Sequence, residues 1–194
     1  MFRSCSSLIS IPELNTSNVN NMNNMFNNCS SLTTIPLINT SNVTSMKSML
    51  EDCKSLTTIP LFDTSNVTNI SFMFRGCSNL VKIPLIDTAK VINMSNIFSS
   101  CYNIRYMLLK NLGAQEKISS FMEWLYDTKW GVEDESIPES AGARQSMIDS
   151  MITYSFDRAT AGYSPLTYEL SSESKAVLTE EEIAAVTAKG YTIA

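Results

Sequence analysis

Apolar and polar positions in the first half of the chain recur at a fixed interval of 24 residues. The phrase NTSNV at residues 15–19 returns at 39–43, and close variants follow at 63–67 and 87–91. All five cysteines occupy one position of this repeat, and four of the six prolines occupy another. These positions are Cys5, Cys29, Cys53, Cys77 and Cys101, and Pro12, Pro36, Pro60 and Pro84. Such self-similarity without insertions is typical of solenoids, in which each repeat buries its apolar face against its neighbours.

Two hydrophobic periods alternate within each repeat. From Val43 to Cys53 the apolar residues follow helical spacing, which predicts an amphipathic helix of about three turns. The run LTTIPLF at 56–62 is short, β-branched and interrupted by Pro60, and it predicts a brief strand. The phrase NTSNV lies where strand passes into helix, and its Asn, Thr and Ser are residues that cap a helix start. The sequence therefore predicts an α/β protein with one short strand and one helix in each repeat.

The segment CSSLTTIPLINTSNVTSMKSMLED at 29–52 resembles the BspA-like leucine-rich repeat, which is related to the repeat first noted in mycoplasma proteins of unknown function. Four full repeats over residues 5–100 match this pattern, and a fifth is degenerate. The resemblance implies a leucine-rich repeat solenoid of right-handed coils with a parallel sheet on the concave face. It further implies a place on bacterial surface proteins or in their phages, and no shared catalytic residues.

The regular repeats are expected to occupy residues 1–112, and degenerate repeats with a C-terminal cap residues 113–194. The chain starts inside a repeat, since MFRSC at 1–5 matches MFNNC at 25–29. We expect either that upstream repeats are missing or that another chain stacks on the open first coil. Near the other end, TEEEIAAVTAKG at 179–190 predicts a helix, with Thr179 and Glu182 in capping-box positions. The segments LTYEL at 166–170 and YTIA at 191–194 predict short strands.

Composition argues against several classes of function. A net charge of −5 without a basic stripe argues against nucleic acid as a partner, and no apolar run reaches the roughly 18 residues that membrane insertion needs. The chain has no histidine, the usual general base near neutral pH, so we do not expect an enzyme. Glu123 and Asp127 could pair as acids four positions apart, but two exposed charges on a helix are the simpler interpretation. The cysteines are odd in number and lack any CxxC motif, so buried thiols are predicted and no metal or cofactor.

The predicted strand face contains two candidate columns for binding a partner. Leu37, Leu61 and Leu85 form an apolar stripe, and two interpretations of it are equally open. If the strand alternates regularly, the stripe is exposed and marks an interaction site. If proline introduces a bulge, the stripe is half-buried core. The second column changes from small polar groups to a cation and an aromatic ring, and its members are Thr34, Thr58, Lys82 and Tyr106.

These patterns predict a binding or adhesion module with no catalytic residues. We expect it to present its concave face to a protein or glycan partner, as a fragment of a bacterial cell-surface or secreted protein. The alternative is a structural component of a phage or prophage particle, such as a fibre or decoration module. In that virion-associated role, the open N-terminal coil would support self-association.

Overall fold

The computed structural model describes residues 1–112, 114, 128–137, 142–155, 157–168 and 170–194. The candidate acids Glu123 and Asp127 lie outside this part of the chain. The strands and helices are β1 (Lys82–Asp87), β2 (Tyr106–Lys110), α1 (Ala143–Ile148), a π-helix (Asp149–Thr153), α2 (Arg158–Ala161), β3 (Leu166–Tyr168), α3 (Ser172–Ala176), α4 (Glu180–Ala188) and β4 (Tyr191–Ile193). Among the described residues, none of the helices has the length and hydropathy of a membrane span.

Successive repeats lie side by side in parallel register. β1 pairs with β2 in parallel, and Lys82 lies opposite Tyr106, its equivalent one repeat later. A single bridge extends this pairing from Thr58 to Lys82. A second line of parallel bridges joins Asn21, Ser45, Asn69 and Asn93 in order. The 24-residue interval of the sequence is therefore the interval between neighbours in space.

The prediction of a helix in each repeat is wrong. Residues 1–112, all described, contain no helix, and the segment from Val43 to Cys53 is a series of hydrogen-bonded turns. Within it the Met49 N–H donates to the Met46 carbonyl at 3.1 Å, while the Ser48 N–H donates to Ser71 of the next repeat at 2.9 Å. Ser48 has a left-handed φ of 54°, which a continuous α-helix excludes. Consecutive turns produce the same three- and four-residue apolar spacing as a helix, and this explains the error.

The cysteines form a ladder through the core of the repeats. Cys29, Cys53, Cys77 and Cys101 are fully buried, which confirms the prediction of buried thiols for these four, whereas Cys5 is exposed. Each buried thiol donates to a carbonyl of the preceding repeat, as from Cys53 Sγ to Phe26 O at 3.1 Å. Burial raises the pKa of Cys53 to about 12. Burial also raises the pKa of Cys29 and Cys77, so these three thiols are neutral packing groups at physiological pH.

The C-terminal segment packs against the last strand of the repeats. On α1 and the π-helix, the hydroxyls of Ser146 and Ser150 accept hydrogen bonds from the Met107 and Leu109 N–H groups at 3.4 and 2.8 Å. These serines satisfy two backbone donors of β2. β3 and β4 pair in parallel, which confirms the two strands predicted near the C-terminus.

Helix α4 begins as the sequence predicts. The Thr179 hydroxyl accepts from the Glu182 N–H at 3.2 Å, and Glu182 Oε2 accepts from the Thr179 N–H at 2.8 Å. This reciprocal pair is the predicted capping box. The helix ends just before Gly190, whose φ of +85° is left-handed.

Candidate functional site

The register of the strand face shifts at the proline in β1. The shift lies between Ile83 and Ile86, which both point into the core although they are three residues apart. Pro84 and Leu85, between them, are both only half-buried. The same sequence of buried and outward residues occurs in the two preceding repeats at 35–38 and 59–62. The bulge of the second interpretation is present, but its predicted consequence is wrong for Leu37 and Leu61, which are exposed and not half-buried core. The bulge adds one residue between the two inward positions, so both residues between them face outward.

The leucine stripe is exposed along most of its length. Leu37 is 73% exposed and Leu61 55% exposed, while Leu85 is half-buried. Together with Leu14 and the buried side chains of Ile38 and Phe62, these leucines line a groove of about 750 Å³. We call this feature the leucine groove. Its volume falls in the range of sites that hold a ligand or a short segment of a partner.

The other wall of the leucine groove is polar and is formed by the NTSNV phrase. In one repeat, Asn39 Oδ1 accepts from the N–H and the hydroxyl of Ser41 at 3.0 and 2.7 Å. In the next, Asp63 Oδ1 accepts from the same two groups of Ser65 at 3.0 and 2.6 Å. These are Asx turns, so the phrase closes a turn and does not cap the helix that the sequence predicted. The bonds from the Ser65 hydroxyl and N–H lower the pKa of the Asp63 carboxyl, which is therefore ionised at neutral pH.

Asparagines of the phrase also tie neighbouring repeats together. Asn42 Nδ2 donates to the Ser17 carbonyl at 2.8 Å, and Asn66 Nδ2 donates to the Ser41 carbonyl at 2.9 Å. Equivalent side chains thus make equivalent bonds one repeat apart. The polar wall is held in place by these bonds before any partner arrives, so little conformational entropy is lost there on binding.

A column of threonines lies behind the polar wall. The hydroxyls of Thr16, Thr64 and Thr88 each donate to a carbonyl of the following repeat, at 2.8 to 3.0 Å. Thr40 occupies the same column and is 2% exposed, but its hydroxyl has no hydrogen-bond partner among the described residues. Sequence reasoning missed these threonines, although their regular place in the phrase could have indicated the column. Nothing in the sequence distinguishes Thr40 from its equivalents.

The other candidate residues form a separate row beside the leucine groove. Thr34 and Thr58 are exposed, and Lys82 and Tyr106 are half-buried. Thr58, Lys82 and Tyr106 are successive parallel partners, and Lys82 Nζ lies 4.5 Å from the centroid of the Tyr106 ring. None of these four residues lines the leucine groove. The structure therefore divides the predicted site into three leucines within the groove and four residues outside it.

Metal chemistry has no evident centre in this part of the molecule. Within the described residues, no group of three or more Cys, Asp or Glu side chains is placed to hold a metal ion. The carboxylates Asp63 and Asp87 line the leucine groove without a third such ligand.

Comparison with known proteins identifies a family. The model of the family described as "Mycoplasma protein of unknown function, DUF285" matches residues 1–111. No curated protein and no solved structure matches the chain. The matched region covers more than half of the 194 residues and includes all the repeats that form the leucine groove.

Proposed function

We propose that this chain, which belongs to the DUF285 family of mycoplasma proteins of unknown function, is a binding module rather than an enzyme. In this proposal it is a BspA-like leucine-rich repeat solenoid on a bacterial cell surface or in a secreted protein. The parallel contacts between residues one repeat apart support the repeat type. The turns in place of helices are a departure from it.

The exposure of Leu37 and Leu61 is the observation on which the proposal rests. Two leucines with 73% and 55% of their surface in water lie side by side in neighbouring repeats. Complete burial of a leucine side chain is worth about 1.5–3 kcal/mol, so a partner that covers the stripe gains a substantial part of its affinity there. Contiguous exposed apolar surface of this kind marks interaction sites.

The chemistry of the leucine groove favours a protein over a glycan. Leucine side chains provide no hydrogen bond, so the hydroxyls of a sugar would lose water against them without compensation. An apolar side chain of a protein partner loses no hydrogen bond to water when it packs against the same leucines. The polar wall with Asn39 and Asp63 lies beside the leucines and can bond to the backbone of an extended segment.

The test is selection from a displayed library of short random peptides, with a glycan array probed in parallel. We expect the wild-type chain to retain peptides that the double variant Leu37→Ser with Leu61→Ser does not retain. A matched control replaces Ile9 and Ile92 with serine, since these side chains are 63% and 51% exposed and lie outside the leucine groove. The control variant should retain the same peptides as wild type.

Two outcomes would contradict the proposal. Selected peptides that bind the leucine-to-serine variant equally well would show that the groove is not the binding surface. Retention of glycans and of no peptides would replace the protein partner with a saccharide.

A further inference from the structure

The Asx turns that line the leucine groove do not require the negative charge that two of them carry. The first residue of the repeated phrase is Asn15, Asn39, Asp63 or Asp87 in successive repeats. Asn39 and Asp63 make the same two bonds to their serines within about 0.1 Å. Asparagine therefore closes this turn as well as aspartate does. The negative charges of Asp63 and Asp87 add something that the local fold does not require.

Neither carboxylate is neutralised within the described part of the chain. Asp63 and Asp87 take part in none of the salt bridges among these residues. Of the nearby cations, Lys90 donates to Asn66 Oδ1 at 2.7 Å, and Lys110, the strand partner of Asp87, has an exposed side chain. Asp87 Oδ1 accepts from the neutral groups of Ala89 N and Asn111 Nδ2 at 2.9 and 2.8 Å. The groove lining itself contains no Lys or Arg, so its net charge is negative.

The buried hydroxyl of Thr40 is a second, independent indication of a ligand. It lines the leucine groove between the repeats of Asn39 and Asp63, and its three equivalents all donate to a carbonyl. A buried hydroxyl without a partner costs free energy that an incoming acceptor or donor would recover. A backbone carbonyl or N–H of an extended segment supplies such a group.

We propose that the leucine groove binds an extended protein segment in which a lysine or arginine stands beside apolar side chains. The apolar side chains cover Leu37, Leu61 and Leu85, and the cation lies against Asp63 and Asp87. The segment's backbone bonds to the Thr40 hydroxyl. This inference rests on the proposed function and adds the chemistry of the partner. A second copy of the chain fits less well, because its net charge of −5 opposes a negative groove.

The experiment uses three synthetic peptides that differ at one position. Each has a central residue between two leucines in a background of serine and glycine, and the central residue is lysine, glutamine or glutamate. Binding to the full chain is followed by polarisation of a neutral fluorophore. At low salt we expect the lysine peptide to bind about threefold to fivefold more tightly than the glutamine peptide, and the glutamate peptide to bind most weakly. High salt should reduce these differences, because it screens exposed charges.

Matched variants test whether the carboxylates of Asp63 and Asp87 cause the preference for the lysine peptide. The double variant Asp63→Asn with Asp87→Asn keeps the turns, as Asn39 shows, and should bind the lysine and glutamine peptides equally. The control variant Glu133→Gln with Glu135→Gln makes the same change in net charge at exposed residues outside the groove. It should keep the preference for lysine.

Threonine variants test the bond to the backbone. Thr40→Val should weaken all three peptides about fivefold without lowering the urea midpoint of unfolding, because it removes no bond of the free protein. Thr64→Val should lower the urea midpoint, because that hydroxyl donates to the Asp87 carbonyl at 3.0 Å.

The outcomes separate this inference from the proposed function. Leucine-dependent binding with no preference for lysine would overturn the inference and leave a binding groove in place. A preference that survives the Asp63→Asn and Asp87→Asn changes would also overturn it, as would a failure of the lysine peptide to bind at all. Binding that ignores the leucine-to-serine changes would overturn both.

Discussion

The repeats at 1–112 and the C-terminal segment at 142–194 are stabilised in different ways. In the repeats many backbone bonds are made again one repeat later, as from Ser48 N to Ser71 O at 2.9 Å and from Phe72 N to Ser95 O at 2.9 Å. The C-terminal segment relies on individual contacts instead. The Tyr191 hydroxyl donates to the Leu112 carbonyl at 2.6 Å, and buried Arg158 donates from Nε to the Ser164 carbonyl at 2.8 Å.

The two regions also place left-handed backbone residues differently. In the repeats, most of these residues are Asn, Ser or Asp, as at Asn24, Ser48 and Asp52. These short polar side chains tolerate a positive φ. In the described C-terminal segment the left-handed positions are glycines, among them Gly162 and Gly190. A change in the repeats should therefore act through neighbouring repeats, and a change at a C-terminal glycine should act locally.

The largest effect is expected for Phe74→Ala. Phe74 is fully buried, and its ring stacks on Phe98 of the next repeat with centroids 5.7 Å apart. Truncation of a buried phenylalanine costs about 3–5 kcal/mol of the free energy of unfolding. Urea unfolding should show this loss, and hydrogen exchange should accelerate in neighbouring repeats as well as its own. Faster exchange confined to its own repeat would contradict the idea that stability is shared.

Gly190→Ala should have a smaller and more local effect. The φ of Gly190 is +85°, and an added Cβ would lie 2.9 Å from the backbone nitrogen of Ala159. Strain and crowding together should cost about 2 kcal/mol. Exchange should accelerate around β3 and β4 and stay unchanged in the repeats.

The matched control for this clash is Gly162→Ala. Gly162 has a φ of +71°, but an added Cβ would meet no atom within 4 Å. Only the conformational cost remains, about 1 kcal/mol. Equal losses for the two variants would show that the contact with Ala159 does not matter.

Alkaline pH should destabilise the repeats through the cysteine ladder. Burial raises the pKa of Cys53 to about 12, whereas the ordinary value in an unfolded chain is 9.0. The unfolded chain therefore releases this proton first, so stability is full below pH 9 and falls as the pH rises towards 12. For Cys53 alone the loss is on the order of 1 kcal/mol by about pH 10. Urea midpoints between pH 8 and about 10 measure it, and Cys53→Ala should reduce the slope.

The smallest effect on stability is expected for Leu37→Ser in the leucine groove. Leu37→Ser should change the free energy of unfolding by no more than about 0.5 kcal/mol, because the side chain is 73% exposed. The neighbouring Ile38→Ala should cost about 2–4 kcal/mol, because Ile38 is 3% exposed. A large loss in Leu37→Ser would assign that leucine a structural role and weaken the case for a binding surface.

The fold could be predicted where residues close together in the sequence, or one repeated column, specify the local structure. The helix at 180–188 follows from Thr179 and Glu182, whose side chains satisfy the first N–H groups within the same four residues. The burial of Cys53 follows from a column of small thiols at one repeat position. The turns at 43–53 could not be predicted, since several of their N–H groups, such as that of Ser48, bond to residues of the next repeat.

The candidate site could likewise be predicted only in part from the sequence. Leu37 and Leu61 could be selected from the sequence, but their exposure depends on which neighbouring residues point inward, and the pattern was compatible with an exposed and with a half-buried stripe. Thr40 could not be selected, because its sequence context matches that of Thr64, which has a partner.

The sequence by itself determined which residues are neighbours between repeats, because a strict 24-residue interval brings equivalent side chains into the same environment. It also determined the buried columns, since water excludes the same apolar positions in every repeat. The tertiary structure decided which partner each backbone N–H and each hydroxyl takes. It also decided whether each leucine of the stripe faces the solvent or the core. Those choices depend on competition between bonds within a repeat and bonds across repeats, and the local pattern of residues is the same for both.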